Sequence, residues 1–304
     1  MEQHELKHTL HNLKDYIRWG ASEFNRQQLV FGHGFVNALD EVAYLVLHAL
    51  ALPHDWPTLY FDAVLTEAER EQVLNLLMKR IYTRKPAAYL THEAWFCGLA
   101  FYVDERVLVP RSPIAEMIDN HFEPWINAGR VTRILDCCTG SGCIAIACQY
   151  AFPEARVVAS DVSKDALDVA RINCSKHGLE DYLLLYQSDL FESIPAQKFD
   201  LIVSNPPYVD AADMVALSEE FKAEPELGLA AGKDGLDIVE RMLLQVVDYL
   251  EDDGLLVVEV GNSQAAMIQR HPELALSWID FEHGGGGVFC VTGQDLKQYL
   301  NLNP

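Results

Sequence analysis

The chain has 304 residues, half of them hydrophobic, and a formal net charge of −22 from 45 acidic and 23 basic side chains. So apolar a composition excludes wholesale disorder, and the longest apolar run, Val42 to Leu52, is only 11 residues, too short to span a membrane. Residues 1–95 carry 12 acids and 9 bases while residues 96–304 carry 33 and 14; such an acidic body argues against duplex nucleic acid as partner, and on charge alone it equally suits steering a basic partner or keeping the protein soluble.

Met1 to Leu10 is polar and charged, without the apolar core of a signal peptide, so a cytoplasmic location is expected. His4 and His8 stand four apart, but no third ligand accompanies them and no metal is expected. The first 85 or so residues read as helical. Leu10, Leu13, Ile17 and Phe24 follow helical spacing, and Val42 to Leu52 forms a short buried helix. Thr66-Glu67-Ala68-Glu69 is a capping box opening a helix whose apolar face is Val73, Leu74, Leu77 and Ile81; Lys85-Pro86 stops it. Alternating aromatic and polar residues across 89–110 predict a β-hairpin linker. Ser112-Pro113 predicts a helix start, serine at the N-cap and proline at the first position.

From Val131 strands alternate with helices. The expected strands are Val131–Asp136, Arg156–Asp161, Tyr182–Gln187, Phe199–Ser204 and Gly254–Val260. Continuous apolar strands with intervening helices predict a parallel sheet covered on both faces. Trp278–Glu282 and Val288–Thr292, flanking Gly284–Gly287, predict an antiparallel hairpin at the sheet edge. The domain boundaries expected are 1–88 for a helical, substrate-recognising domain, 89–110 for the linker and 111–304 for an α/β domain. The seven cysteines contain no C-x-x-C pair and read as reduced core residues.

Three acids mark strand ends. Asp136 leads into Cys137-Cys138-Thr139-Gly140-Ser141-Gly142, a glycine-rich turn that opens the helix Cys143–Tyr150; it lacks the G-x-G-x-x-G of dinucleotide sites. Asp161 ends the next strand, 25 residues on, where a carboxylate can accept both hydrogens of a ribose diol. Asp189, followed by Leu190, comes after the third, at the height of an adenine ring. Each alone is more often a helix cap. Together, at the carboxyl ends of neighbouring strands, they suit an adenosine without phosphate, which is S-adenosylmethionine rather than NAD.

Asn205-Pro206-Pro207-Tyr208 follows the fourth strand. Two prolines cannot extend the strand, so they stiffen a turn at its end. The Asn205 carboxamide oxygen and the Pro206 carbonyl are then a pair of acceptors for a planar NH2 group, with Tyr208 packing on the plane. Holding both N–H groups raises electron density on a nitrogen that must attack a methyl-sulfonium. Methyl transfer to a planar amide or amino nitrogen is the chemistry expected.

These motifs, with Glu224-Pro225, Leu229-Ala230, Asp234-Gly235-Leu236 and Glu259-Val260-Gly261, resemble the HemK-like family of protein-glutamine N5-methyltransferases over nearly the whole chain. The resemblance implies a seven-stranded, Rossmann-like class I methyltransferase domain behind a small helical domain and a β-hairpin. It implies cofactor contact from Cys138 through Gly142, at Asp161 and at Leu190. Substrate contact is implied at Asn205, Pro206, Pro207 and Tyr208, with Arg111 near the pocket mouth. Pro110-Arg111-Ser112-Pro113, Phe31-Gly32-His33-Gly34, Trp95-Phe96-Cys97-Gly98 and Cys138, where relatives acting on release factors have glycine, are similar to the branch modifying large-subunit ribosomal protein uL3. That basic substrate would be met before or during ribosome assembly. The acids of Asp210 to Glu226, against Lys222 alone, are expected to form a rim attracting it. Release-factor methylation, amino-methylation of a nucleic-acid base, and a cofactor-binding assembly role without catalysis are the competing readings.

Overall fold

A computed structural model describes residues 3–302. The chain divides into two compact units, one holding residues up to Glu93 together with Ser218–Ala223, the other Ala94–Leu217 and the chain from Glu224 onward.

The first unit is helical. Its principal helices are Leu13–Arg26, Ala38–Ala49 and Glu67–Thr83. The capping box read at Thr66 is present: Glu69 N donates to Thr66 Oγ1 at 3.3 Å and Thr66 N to Glu69 Oε2 at 2.7 Å. That helix ends at Arg84, in the left-handed region at φ 58°, just before Pro86. The helix expected at Val42 begins earlier, because the Asn37 side chain caps it by accepting from Asp40 N at 2.9 Å. Tyr16, Phe24, Val42, Leu45, Leu74 and Leu77 fill the core.

Ser218–Ala223 joins this unit through one carboxylate. Glu220 is fully buried; it accepts from Val30 N at 3.1 Å and lies 2.9 Å from Arg84 Nε. Arg80, itself buried, stands 3.4 Å from Glu220 and donates Nε to Glu41 at 2.5 Å. A stretch remote in sequence thus supplies a buried carboxylate to Arg80 and Arg84, a pairing that periodicity along the chain does not signal.

The second unit opens with an antiparallel hairpin, β1 (Ala94–Phe96) and β2 (Leu99–Phe101), turned by Cys97 and Gly98 at φ 47° and 71°. Then follow β3 (Arg133–Cys137), β4 (Arg156–Asp161), β5 (Leu183–Gln187), β6 (Phe199–Ser204), β7 (Leu250–Glu259), β8 (Ser277–Trp278) and β9 (Val288–Thr292). They form one seven-stranded sheet in the order β5-β4-β3-β6-β7-β9-β8, parallel except where β9 runs antiparallel to β7 and β8. Successive strand residues are buried to opposite sides: Ile134 and Leu201 in one core cluster, Leu135 and Ile202 in the other. Both faces are therefore covered, as the continuous apolar strands require. This is the α/β, Rossmann-like class I methyltransferase architecture.

Several details differ from the sequence reading: β7 starts at Leu250 rather than Gly254, and Ala87–Thr91 is helical where the 89–110 hairpin was expected to begin. The edge strand is two residues long rather than the five of Trp278–Glu282, because Glu282 N and His283 N turn to the Glu116 carboxylate at 2.9 and 3.0 Å. Ser112 is not the N-cap of the helix Ile114–Asp119; Pro113 holds that place. The serine hydroxyl instead donates to Glu259 at 2.6 Å while accepting from Ile114 N at 3.2 Å.

Candidate active site

The strand order reverses at β3, whose neighbours β4 and β6 leave it on opposite sides, and an open α/β sheet presents its ligand crevice at such a point. A cavity lies there, lined by the turn after β3, the tip of β4, the turn after β6 and the segment 106–112.

Asp136 does not line it. The side chain is fully buried, with Oδ2 accepting from Thr139 Oγ1 at 2.5 Å and from Ala145 N at 3.1 Å. It therefore moors the helix Cys143–Ala151 to the strand from which the turn departs. Burial pushes its carboxyl up to about 7 against those two donors. Cys138 takes φ 60°, a left-handed conformation that asparagine and glycine adopt more readily, and Gly140 and Gly142 follow at 55° and 81°. Of the turn, Cys138, Thr139, Gly140 and Ser141 reach the cavity; Gly142 is the N-cap, and a Cβ there would come 3.3 Å from Ala170 Cβ.

Asp161 lines the cavity. Its Oδ2 accepts from Gly140 N and its Oδ1 from Ser163 N, both at 2.9 Å, and each oxygen keeps a lone pair for a further donor. Burial raises this carboxyl too, opposed by those backbone donors. Asp189 and Leu190 are not among the lining residues. The Asp189 carboxylate accepts from Arg241 at 2.7 Å, an engagement the strand-end pattern did not reveal.

After β6, Ser204 Oγ donates to the Cys137 carbonyl at 2.8 Å, tying the ends of β3 and β6 together. Asn205, Pro207 and Tyr208 line the cavity; Pro206 is buried and does not. Asn205 Oδ1 is buried with no donor among the described residues. A buried acceptor left unmatched is costly, and such an atom in a cavity wall awaits a donor. Tyr208 donates its hydroxyl to Glu259 Oε1 at 2.9 Å, and burial pushes the phenol pKa upward.

Arg111 lines the cavity with its guanidinium held by Glu224, Nη1 to Oε1 at 2.6 Å and Nη2 to Oε2 at 2.7 Å. Arg106, also in the wall, is gripped by Asp104, whose carboxyl it holds down at about 2. Both cations of the wall thus have carboxylate partners, and Asp161 adds negative charge. That donor and acceptor set suits hydroxyls and an organic cation rather than phosphate, and it fits S-adenosylmethionine. Among the described residues no three His, Cys, Asp or Glu are grouped to hold a metal ion; the His4 side chain lies outside them.

Glu224, Glu259 and Ser112 escaped the residue-level reading. Glu224-Pro225 and Glu259-Val260-Gly261 were visible as motifs, but their partners are more than 50 residues away in sequence.

A protein of Xanthomonas campestris pv. campestris named ribosomal protein uL3 glutamine methyltransferase is 50% identical over 287 residues, covering 94% of this chain and 93% of that protein. One of Francisella tularensis with the same name is 44% identical over 299 residues, 98% of this chain and 95% of the other. The chain belongs to the uL3 glutamine methyltransferase family. The methyltransferase small domain family matches residues 120–232, from the approach to β3 through the Asn205–Tyr208 turn. Among solved structures, the hMettl16 catalytic domain in complex with MAT2A 3'UTR hairpin 6 shares the fold. Its TM-score is 0.50 at 16% identity, over 73% of this chain and 80% of that one. Membership in the uL3 glutamine methyltransferase family carries a class I, S-adenosylmethionine-dependent enzyme. Among the described residues no helix is long and apolar enough to cross a membrane.

The acidic rim expected at Asp210 to Glu226 is corrected. Glu220 is interior to the helical unit, Glu224 is spent on Arg111, and Asp210 caps the helix Ala211–Ala216 by accepting from Ala212 N and Asp213 N. Glu219 is paired with Lys222 at 2.9 Å. Half of the run's charge serves the fold.

Proposed function

We propose that this chain transfers a methyl group from S-adenosylmethionine to the side-chain amide nitrogen of a glutamine in ribosomal protein uL3. The observation that carries the reading is the unmatched, buried Asn205 Oδ1 in the cavity wall beside Tyr208, in a chain half identical to a protein of that name.

S-adenosylmethionine supplies an electrophilic methyl group on a sulfonium. Cys138, Thr139, Gly140 and Ser141 would cradle it, with Gly142 shaping the turn, and Asp161 would accept from its ribose hydroxyls; Asp189 and Leu190, expected at the adenine end, lie outside the cavity lining, Asp189 held by Arg241. Asp136 contributes by holding the turn in shape. Asn205 Oδ1, in the cavity wall, accepts an amide hydrogen of the glutamine and orients the nitrogen lone pair at the methyl, while Pro206, outside the lining, fixes the turn that presents it. Tyr208 covers the amide plane; Pro207 stiffens the turn, and Arg111 borders the entrance. The nitrogen sheds a proton after transfer, so no strong base is needed beforehand.

The helical unit, which runs to Glu93 and takes in Ser218–Ala223, is the substrate-docking domain, and the unit from Ala94, which includes the hairpin, is the transferase domain, in place of the 1–88, 89–110 and 111–304 division expected from sequence. The net charge of −22 favours a basic partner, met in the cytoplasm as the free ribosomal protein before or during assembly. To test this, the purified chain is incubated with labelled cofactor and either uL3, a release factor or duplex DNA, and the methyl group located by mass spectrometry. Labelling of one uL3 glutamine is expected. Transfer to the release factor alone, or to DNA, overturns the substrate; no transfer to any amide overturns the chemistry.

A further inference from the structure

Two walls of the cavity meet on one buried carboxylate. Glu259 is the last residue of β7, the strand beside β6, and is 5% exposed. Its Oε1 accepts from Tyr208 Oη at 2.9 Å and its Oε2 from Ser112 Oγ at 2.6 Å. Tyr208 belongs to the turn after β6, and Ser112 ends the lining segment that includes Arg111. Burial pushes the Glu259 carboxyl up, and the Ser112 and Tyr208 hydroxyls draw it back.

The Tyr208 ring has little freedom. A Cβ at Gly261 would fall 2.5 Å from its Cε2 and 2.9 Å from Cδ2 and Cζ, so the ring lies against a backbone that only glycine permits, at φ 46°. The Tyr208 carbonyl accepts from Ser263 Oγ at 3.0 Å. Gly261 thus limits the ring from one face and Ser263 holds its backbone, leaving Glu259 to hold the hydroxyl end. A polar carboxyl at so enclosed a position is unfavourable for packing alone, since an apolar residue would fill the space without desolvating a charge.

Resting on the reading that Tyr208 covers the accepting amide, we propose that Glu259 is a positioning residue for methyl transfer, which locks the plane of Tyr208 and fastens the Ser112 wall to it. It touches neither the amide nor the methyl group and acts on the amide through Tyr208. A ring displaced by a fraction of an ångström would leave the amide free to tilt away from the line of attack.

The test compares E259A, E259Q, Y208F and the double variant Y208F/E259A in methylation of uL3, with cofactor affinity measured by calorimetry. E259A is expected to lower kcat about 10- to 100-fold while KM for uL3 and cofactor Kd stay within about threefold. E259Q, whose carboxamide oxygen still accepts from Tyr208, should keep about a third or more of kcat. The double variant should fall no more than about threefold below Y208F, because both changes remove one contact. Unchanged kcat in E259A, multiplying factors in the double variant, or a loss tracking cofactor affinity would overturn the proposal. If E259A does not fold, Y208F alone and combined with E259Q carries the same comparison. A wild-type chain that methylates no amide defeats the underlying reading before any variant is made. The ring position at residue 208 in cofactor-bound crystals of Y208F against wild type then decides, an unmoved ring overturning the positioning role.

Discussion

Arg111 and Glu224 meet in a two-point contact, Nη1 to Oε1 at 2.6 Å and Nη2 to Oε2 at 2.7 Å, across 113 residues of chain. Glu224 also accepts from Val109 N at 3.0 Å, so one carboxylate closes the 109–111 segment of the cavity wall. Planar guanidinium and carboxylate match in a way that a lysine ammonium cannot reproduce. The Glu224 side chain is wholly buried while that of Arg111 is 27% exposed, so the loss falls mainly on the acid if its partner goes. We expect Arg111→Ala to destabilise the protein by about 3 kcal/mol and Arg111→Lys by roughly half that. Urea unfolding measures both, and a change under about 0.5 kcal/mol in Arg111→Ala would refute the role.

Asn205→Ala separates catalysis from stability. The substitution removes a buried acceptor that has no donor among the described residues, so folding should lose little, within about 1 kcal/mol. The reaction should slow about 100-fold or more, as when a single stabilising contact to the reacting group is removed. Thermal unfolding paired with single-turnover methylation reads both quantities. A variant with wild-type turnover would contradict the assigned contact.

Glu220 and Glu219 are adjacent in sequence and opposite in environment. Glu220 is fully buried against Arg80 and Arg84, and Glu219 is exposed beside Lys222. Glu220→Lys should destabilise the helical unit by about 3–5 kcal/mol, since it sets a third cation beside the buried Arg80 and the partly exposed Arg84. Glu219→Lys should change stability by less than about 0.5 kcal/mol. Amide hydrogen exchange over residues 13–83 localises the effect; comparable protection in the two variants would count against the assignment.

Asp136 predicts a pH dependence. Its carboxyl is pushed to about 7 in the fold from an ordinary value of 3.8. Below the lower value both states hold the proton. Between the two, the unfolded chain ionises while the folded one does not, so stability falls as pH rises and levels off above about 7. In Asp136→Asn this titration is absent. The stability of wild type relative to Asp136→Asn should therefore decline by about 3 kcal/mol between pH 4.5 and 7.5. Urea unfolding across that range checks it, and a constant difference would exclude a shifted Asp136.

The strands and the chemistry-bearing turns were legible because each is written locally. Arg156–Asp161 and Phe199–Ser204 are continuous apolar runs of strand length, and both occupy their expected residues. The Thr66 capping box closes within three residues of its own N-cap, so its partners are visible together. Cys138 through Gly142 and Asn205 through Tyr208 announce themselves by glycine and proline, whose backbone limits are intrinsic.

What each acid does was decided elsewhere. Asp136, Asp161 and Asp189 read alike at strand ends, yet the first props the turn, the second lines the cavity and the third is engaged by Arg241. Glu220 and Glu224 read as one acidic run and are two separate interior partners of arginines. The physical reason is the range of the forces involved. Backbone preference and periodic burial act within a few residues and are inscribed in the chain; the fate of a charge depends on which side chain the fold brings within 3 Å and on whether water is excluded there, and only the tertiary structure sets both.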